Sequence, residues 1–241
     1  MSLSRREFIG IGSAAATGLA LAPGLRLVEL AQARSPEEAV TSLKRWGLLV
    51  DIGKCNDCDA CVTACRTENG WEGHNRPATD PQWIRKVTLK DKQTGYVQTL
   101  PVMCQHCESP PCVDVCPTGA SFKRADGIVL VDKHICIGCR YCMMACPYKA
   151  RSFVHEETTG QKPHAPRGKG TVESCTLCVH RVDEGRIPAC VEACNKDGNK
   201  AMVFGDLKDP NSDIHKQLAA GASTQLRPDL NLNTGVRYRG I

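Results

Sequence analysis

Apolar residues occur along the 241-residue chain in short bursts separated by polar turns, which predicts short strands rather than long helices. The segment Trp46 to Asp51, WGLLVD, reads as a strand that leads into a cysteine-rich loop. Trp83 to Lys90 and Tyr96 to Val102 read as two strands around the polar turn Asp91 to Gly95. Ala120 to Lys123 and Ile128 to Val131 flank Arg124-Ala125-Asp126-Gly127, a hairpin turn sequence. Val203-Phe204-Gly205 supplies a further strand. Between Arg151 and Thr171 the stretch HEETTGQKPHAPRGKG is polar, with Gly and Pro, and reads as a surface loop, either a docking loop or a solvated connection. From about Asp206 onward apolar residues are few, so residues 209–241 are expected as a C-terminal arm lying on the body or on a neighbour.

The first residues carry a different pattern. Ser4-Arg5-Arg6-Glu7-Phe8-Ile9 matches the twin-arginine (Tat) pattern, and a mildly apolar stretch from Ile9 to Ala22 follows. Ala31-Gln32-Ala33 offers an A-x-A cleavage site, so residues 1–33 are expected as a signal peptide and the location as periplasmic. The competing reading is an ordinary pair of arginines before an amphipathic helix. After the leader the apolar stretches are strand-length, far below the roughly 20 residues a spanning helix needs, so membrane association would come through a partner or an uncleaved leader.

The chemistry lies in the cysteines. CIGCRYCMMACP places Cys136, Cys139, Cys142 and Cys146 in C-x2-C-x2-C-x3-C-P, a run that wraps one cubane iron-sulfur cluster and lends its last cysteine to a second. Cys55, Cys58, Cys61 and Cys65 form another run. In chain order that run is the first, Cys104, Cys107, Cys112 and Cys116 form the second, with four residues in the middle gap, the Cys136 run is the third, and Cys175, Cys178, Cys190 and Cys194 form the fourth, with eleven. All 16 cysteines are used, which points to four [4Fe-4S] clusters and to electrons. Disulfides would be the default for scattered cysteines in a short exported chain, and paired C-x-x-C elements also bind zinc. Neither calls for a fourth cysteine three residues on and followed by proline, as at Cys116-Pro117 and Cys146-Pro147. Export of an already folded protein also suits a cofactor assembled in the reducing cytoplasm.

Composition changes this picture little. An aromatic content of 5% is a poor source of conventional core, and clusters with their thiolates take the place of much of it. The formal charge of +5, from 31 Lys+Arg against 26 Asp+Glu, could suggest nucleic acid. Each oxidised cube with four thiolates carries about −2, which brings the holoprotein near neutrality, and no basic block or aromatic-basic interleaving occurs. No nucleic-acid partner is expected.

The strand, turn, strand unit between the second and third runs is how a two-cluster bacterial ferredoxin is organised, so residues 104–171 are expected as one ferredoxin-like module. The outer runs are left to pair, giving a second module from residues 34–103 plus 172–208. The expected fold class is α+β: two bacterial 2[4Fe-4S] ferredoxin-like modules, one inserted in the other, with short strands, short helices and long loops.

The four-run layout, with CQHCESPPCVDVCPTGA, CIGCRYCMMACPYKAR and CTLCVHRVDEGRIPACVEAC, resembles the iron-sulfur electron-transfer subunits that partner molybdopterin oxidoreductases and NrfD-type membrane quinone proteins. The resemblance covers roughly Trp46 to Pro210. Within that family the leader, the phrase FKRADGIVLVDKHICIGCRYCMMACPYKARSF and the ending LRPDLNLNTGVRY look most like the DsrO branch, the periplasmic iron-sulfur subunits of the Dsr membrane complex of sulfur metabolism. The resemblance implies four ligand sets: Cys55, Cys58, Cys61 with Cys194; Cys175, Cys178, Cys190 with Cys65; Cys104, Cys107, Cys112 with Cys146; and Cys136, Cys139, Cys142 with Cys116. It implies as partners an NrfD-like integral membrane subunit that interacts with quinone, and a multihaem cytochrome c or a molybdopterin subunit. Some relatives replace one cysteine by tryptophan and carry a [3Fe-4S] cluster; no position is so replaced here. The chain departs from the pattern after Cys194, where Asn195 to Lys200 stand in place of C-P-T-x-A, and after Cys65, which Arg66 follows.

The expected role is outer-sphere electron transfer with no catalytic residue. His106, Lys133, His134, Arg140, Tyr141 and Lys149 are candidates for tuning the potentials, with packing or surface roles as the alternative. An enzyme with its own substrate site is disfavoured by the lack of a G-x-G-x-x-G loop or a C-x-x-C-H haem attachment. A purely structural subunit stapled by clusters stays open.

Overall fold

The computed structural model describes residues 40–241 apart from residues 56 and 77. The leader and the cleavage site expected in residues 1–33 lie outside the described residues. Among the described residues no helix is long and apolar enough to cross a membrane.

Strand β1 (Trp46–Asp51) carries three consecutive apolar residues, Leu48, Leu49 and Val50, all essentially inaccessible. A run without alternation belongs to a strand covered on both faces, and β1 is the central strand of its sheet. It pairs antiparallel with β8 (Met202–Asp206) and parallel with β9 (Val236–Arg239), so that Leu48 faces Phe204 on one side and Val236 on the other. Trp46 stacks on Phe204 with ring centroids 5.2 Å apart.

Three two-stranded hairpins complete the sheets. Strand β2 (Ile84–Lys90) pairs with β3 (Val97–Met103) from Ile84 opposite Met103 to Lys90 opposite Val97. The Asp91 carboxylate closes their turn by accepting from the Gln93 N–H and the Thr94 hydroxyl, both at 2.8 Å. Strand β4 (Ser121–Lys123) pairs with β5 (Val129–Val131) across the expected turn.

The third hairpin flanks the polar stretch expected as a surface loop. Residues 155–170 carry no strand, and on either side of them β6 (Arg151–Phe153) and β7 (Val172–Ser174) pair antiparallel. Val154 N–H donates to the Thr171 carbonyl and Gly170 N–H to the Val154 carbonyl, which closes the base of the long connection. Strands of three residues are too short to show an alternation in sequence.

The C-terminal segment, expected as an arm on the body or on a neighbour, has more structure than its few apolar residues announce. Residues 209–241 contribute a helix and the parallel edge strand β9. Tyr238 on β9 is fully buried; its hydroxyl donates to the Pro101 carbonyl at 3.0 Å and accepts from Gln105 Nε2 at 3.2 Å. The same segment braces the second cysteine loop, where Glu108 N–H donates to the Leu232 carbonyl and Cys107 bridges to Thr234. Only Val236 and Tyr238 mark β9 as apolar, a signal of two residues.

The helices are short. Among the described residues they are α1 (Ala60–Asn69), α2 (Pro111–Asp114), α3 (Tyr141–Ala145), α4 (Val179–Asp183), α5 (Ala189–Lys196) and α6 (Asp213–Ala220). Helix α1 packs against α5, α2 against α3, and α6 against β8 and β1.

Candidate metal centres

Cysteines four apart on a helix lie on one face, one turn from each other. Cys61 and Cys65 on α1, and Cys190 and Cys194 on α5, are so placed, and the packing of α1 on α5 interleaves them. The sulfurs of Cys55, Cys58, Cys61 and Cys194 gather in one group. Those of Cys65, Cys175, Cys178 and Cys190 gather in a second. Cys104, Cys107, Cys112 and Cys146 line one cavity under α2 and α3, and Cys116, Cys136, Cys139 and Cys142 line another. All sixteen thiols are free of disulfides.

The groups form a row. Cys61 neighbours Cys65 and Cys190, joining the first group to the second. Cys175 neighbours Cys104, joining the second to the third, and Cys112 neighbours Cys142, joining the third to the fourth. Every cysteine of the second and third groups is buried. At the ends, Cys55 and Cys58 in the first group are partly exposed, as are Cys116 and Cys136 in the fourth, where Cys139 is exposed.

Such convergence is unfavourable for bare thiolates. Burial pushes Cys61, Cys65, Cys104 and Cys107 up to about 12, with the sulfurs of neighbouring cysteines adding to the shift. Cys175 and Cys190 lie well above their ordinary value for the same reason. Ligation to a cation is what makes buried thiolates tenable.

Two comparisons with known proteins bear on what that cation is. Families described as "4Fe-4S dicluster domain" match residues 95–207 and residues 54–120. The chain is 44% identical to the Hdr-like menaquinol oxidoreductase iron-sulfur subunit 1 of Archaeoglobus fulgidus, across 98% of this chain and 97% of that protein. The chain belongs to this family of iron-sulfur subunits. It is also 39% identical to a tetrathionate reductase subunit of Salmonella typhimurium, covering 92% of this chain and 84% of that protein, and 38% identical to protein NrfC of Escherichia coli K12, covering 72% and 71%.

With two dicluster domains and sixteen cysteines, the iron-sulfur subunit fits four [4Fe-4S] clusters. Its own structure supports the fit through the polar atoms around the thiols. Ser121 Oγ, Tyr148 Oη and Arg151 Nη1 are buried without a protein partner, and all three residues line the cysteine cavities, where cluster sulfides are natural acceptors. Other donors already reach sulfur. Trp71 Nε1 and Asn69 Nδ2 donate to Cys65 at 3.3 and 3.6 Å, and the Leu177 N–H to Cys175 at 3.4 Å. The Arg151 guanidinium donates to Cys112 at 3.1 Å.

The departures from the family pattern are absorbed locally. After Cys116 the N–H of Ser121 donates back to its sulfur at 3.3 Å, and the polar residues after Cys194 let the N–H of Ala201 do the same at 3.3 Å. After Cys65 no proline stops the helix, and α1 runs on to present Asn69 and then Trp71 to that sulfur. In the third run Gly138 is fixed by a close approach. Its φ is +69°, and a Cβ there would stand 2.1 Å from the Gly170 carbonyl oxygen.

The residues expected to tune potentials fall in varied places. His106 is buried, and burial, followed by the charge of Arg151, depresses its imidazole to about 3. Its ring Nδ1 accepts from the Val129 N–H. Lys133 packs over Trp83, and Arg140 covers Phe153 at 3.8 Å. His134, Tyr141 and Lys149 are exposed. Trp71, Asn69 and Arg151, whose side chains do reach sulfur, lie outside the cysteine runs and carry no signal in the spacing.

Proposed function

We propose that this iron-sulfur subunit is a non-catalytic electron relay, held on a membrane complex by its partners and passing electrons between a redox partner and a quinone-linked membrane subunit. The observation that carries the reading is the row of thiol groups, enclosed in the middle and open at both ends. A bound [4Fe-4S] cluster supplies reversible one-electron oxidation and reduction. The ligand sets we infer are the four gathered groups, so each run gives its last cysteine to its partner run. One ferredoxin-like module, built on α2 and α3, is then inserted in the other, built on α1 and α5.

The chain's own residues have three tasks in this role. Thiolates hold the iron, N–H and hydroxyl donors around sulfur favour the more negative state, and burial of the middle groups excludes water. No substrate-activating group is assigned. Around the fourth group Ile135, Ile137, Tyr141 and Met144 are exposed, with Val115 and Phe122 nearby in sequence to its cysteines. Exposed apolar residues at an open end of the row suit docking onto the integral membrane, NrfD-like subunit.

Within the family we infer the DsrO branch, with export by the twin-arginine route, a periplasmic location, a multihaem cytochrome partner and a place in dissimilatory sulfur metabolism. Its support is the leader and the sequence phrases around Cys136 and at the C-terminus. A second reading, an electron-transfer subunit serving a molybdopterin or nitrite-reducing partner, is favoured by the similarity to the tetrathionate reductase subunit and NrfC. The test uses inner membranes carrying the assembled complex. Addition of a quinol or quinone should change the redox state of the clusters, and co-purification should bring down a multihaem cytochrome. Clusters indifferent to the quinone pool would overturn the relay, and a molybdenum-containing partner would favour the second reading.

A further inference from the structure

The hairpin β6–β7 places an unusual excess of buried positive charge beside the third and fourth thiol groups. Arg151, at the start of β6, is buried, 5% exposed. Its Nη2 donates to Cys112 Sγ at 3.1 Å, and Cys142 lies beside the same guanidinium. Cys112 belongs to the third group and Cys142 to the fourth, so one side chain stands next to both.

Its neighbours do not balance its charge. Glu173 on β7 is fully buried, but Arg167 occupies both of its oxygens, at 2.8 and 3.0 Å. Lys133 stands close by, adding a further cation near Cys136. Among the described residues no carboxylate forms an ion pair with Arg151, and the thiols of Cys112, Cys104 and Cys142 stand around it. Nη1 has no protein partner. A buried guanidinium without a counter-ion is strongly unfavourable, and anionic clusters on these thiolates would supply the missing negative charge.

We propose that Arg151 is a positioning residue that sets the potentials of two of the four clusters, those on the third and fourth thiol groups, and binds them into one electrostatic unit. The proposal rests on the cluster reading given above. Each electron added makes a cube one unit more negative, so a fixed cation in hydrogen-bond contact with its ligands favours the reduced state. The planar fork of Arg suits this place, because one donor is held on Cys112 while Nη1 stays free for a cluster sulfide, whereas Lys offers only a point charge. Loss of the charge should therefore lower two potentials and leave the first and second groups, on α1 and α5, where they were.

The experiment is a potentiometric titration followed by EPR on the full-length holoprotein, with iron and sulfide counted in each variant. For Arg151→Gln we expect two of the four centres to move to lower potential by at least a tenfold change in the reduced-to-oxidised ratio, about 59 mV for one electron, with the other two unmoved. Arg151→Lys, which keeps the charge, should shift the same two by a smaller amount. Four unchanged potentials in a fully loaded Gln variant, or a uniform shift of all four, would overturn the proposal. If the Gln variant loses iron, retention of all clusters by the Lys variant supports it, and loss in both shows a folding role only and overturns it. Clusters that cannot be reduced in the unaltered protein would instead defeat the relay reading itself, before any substitution is made.

Discussion

The indole Nε1 of Trp71 donates to the Cys65 sulfur at 3.3 Å, inside a contact shared with Asn69. Cys65 is the fourth cysteine of its run but lies among Cys175, Cys178 and Cys190. A donor to a thiolate favours the reduced cluster, which is the more negative. Trp71→Phe keeps most of the ring and removes the N–H. It is expected to lower one cluster potential and to cost about 1.5–3 kcal/mol, as for a hydrogen bond to a charged group. EPR-monitored titration and denaturant unfolding check the two parts.

The exchange of fourth cysteines makes a sharper prediction. Cys146 follows α3, the helix of the third run, yet lines the cavity of Cys104, Cys107 and Cys112. Cys146→Ser and Cys104→Ser are expected to abolish or alter the same EPR centre, and Cys136→Ser a different one. If Cys146→Ser and Cys136→Ser affect the same centre, the exchange is wrong.

Much of this arrangement was legible in the chain, and what was not has physical causes. The strand at Trp46–Asp51 was readable because an unbroken apolar run is what a central strand requires. The hairpin around Arg124 to Gly127 was readable because its turn residues are specific. The cysteine runs showed that a fourth cysteine lies one helical turn beyond the third, but which run it meets depends on α1 reaching α5 across the whole fold. Arg151 and Trp71 were silent for a related reason: a donor to sulfur needs only reach, and no spacing rule announces it. The β6–β7 pairing and β9 failed to show because they are held by neighbours rather than by their own pattern.

Strand β9 supplies a test of that last point. Tyr238 fills the space beside β1 and reaches Pro101 and Gln105, at the entry to the second cysteine loop. Tyr238→Ala is expected to cost about 3–5 kcal/mol, in the range of other large aromatic truncations. Tyr238→Phe should lose only about 1 kcal/mol. Thermal unfolding followed by circular dichroism separates the two.

Removal of the clusters should be more damaging than any of these substitutions. Eleven of the sixteen cysteines are buried, and most of these join the main apolar core, whereas aromatic residues are only 5% of the chain. Iron chelation after oxidative loss of the clusters is expected to abolish cooperative unfolding, because ligation and folding are coupled when a core is built on its ligands. A cluster-free protein that melts as sharply as the holoprotein would contradict this.

The central claim is that four clusters in one row carry single electrons. The most direct measurement is a redox titration of the purified, fully loaded protein followed by EPR. The account predicts four centres, each taking up one electron reversibly. Fewer than four reducible centres, or clusters inert to reduction, would contradict it.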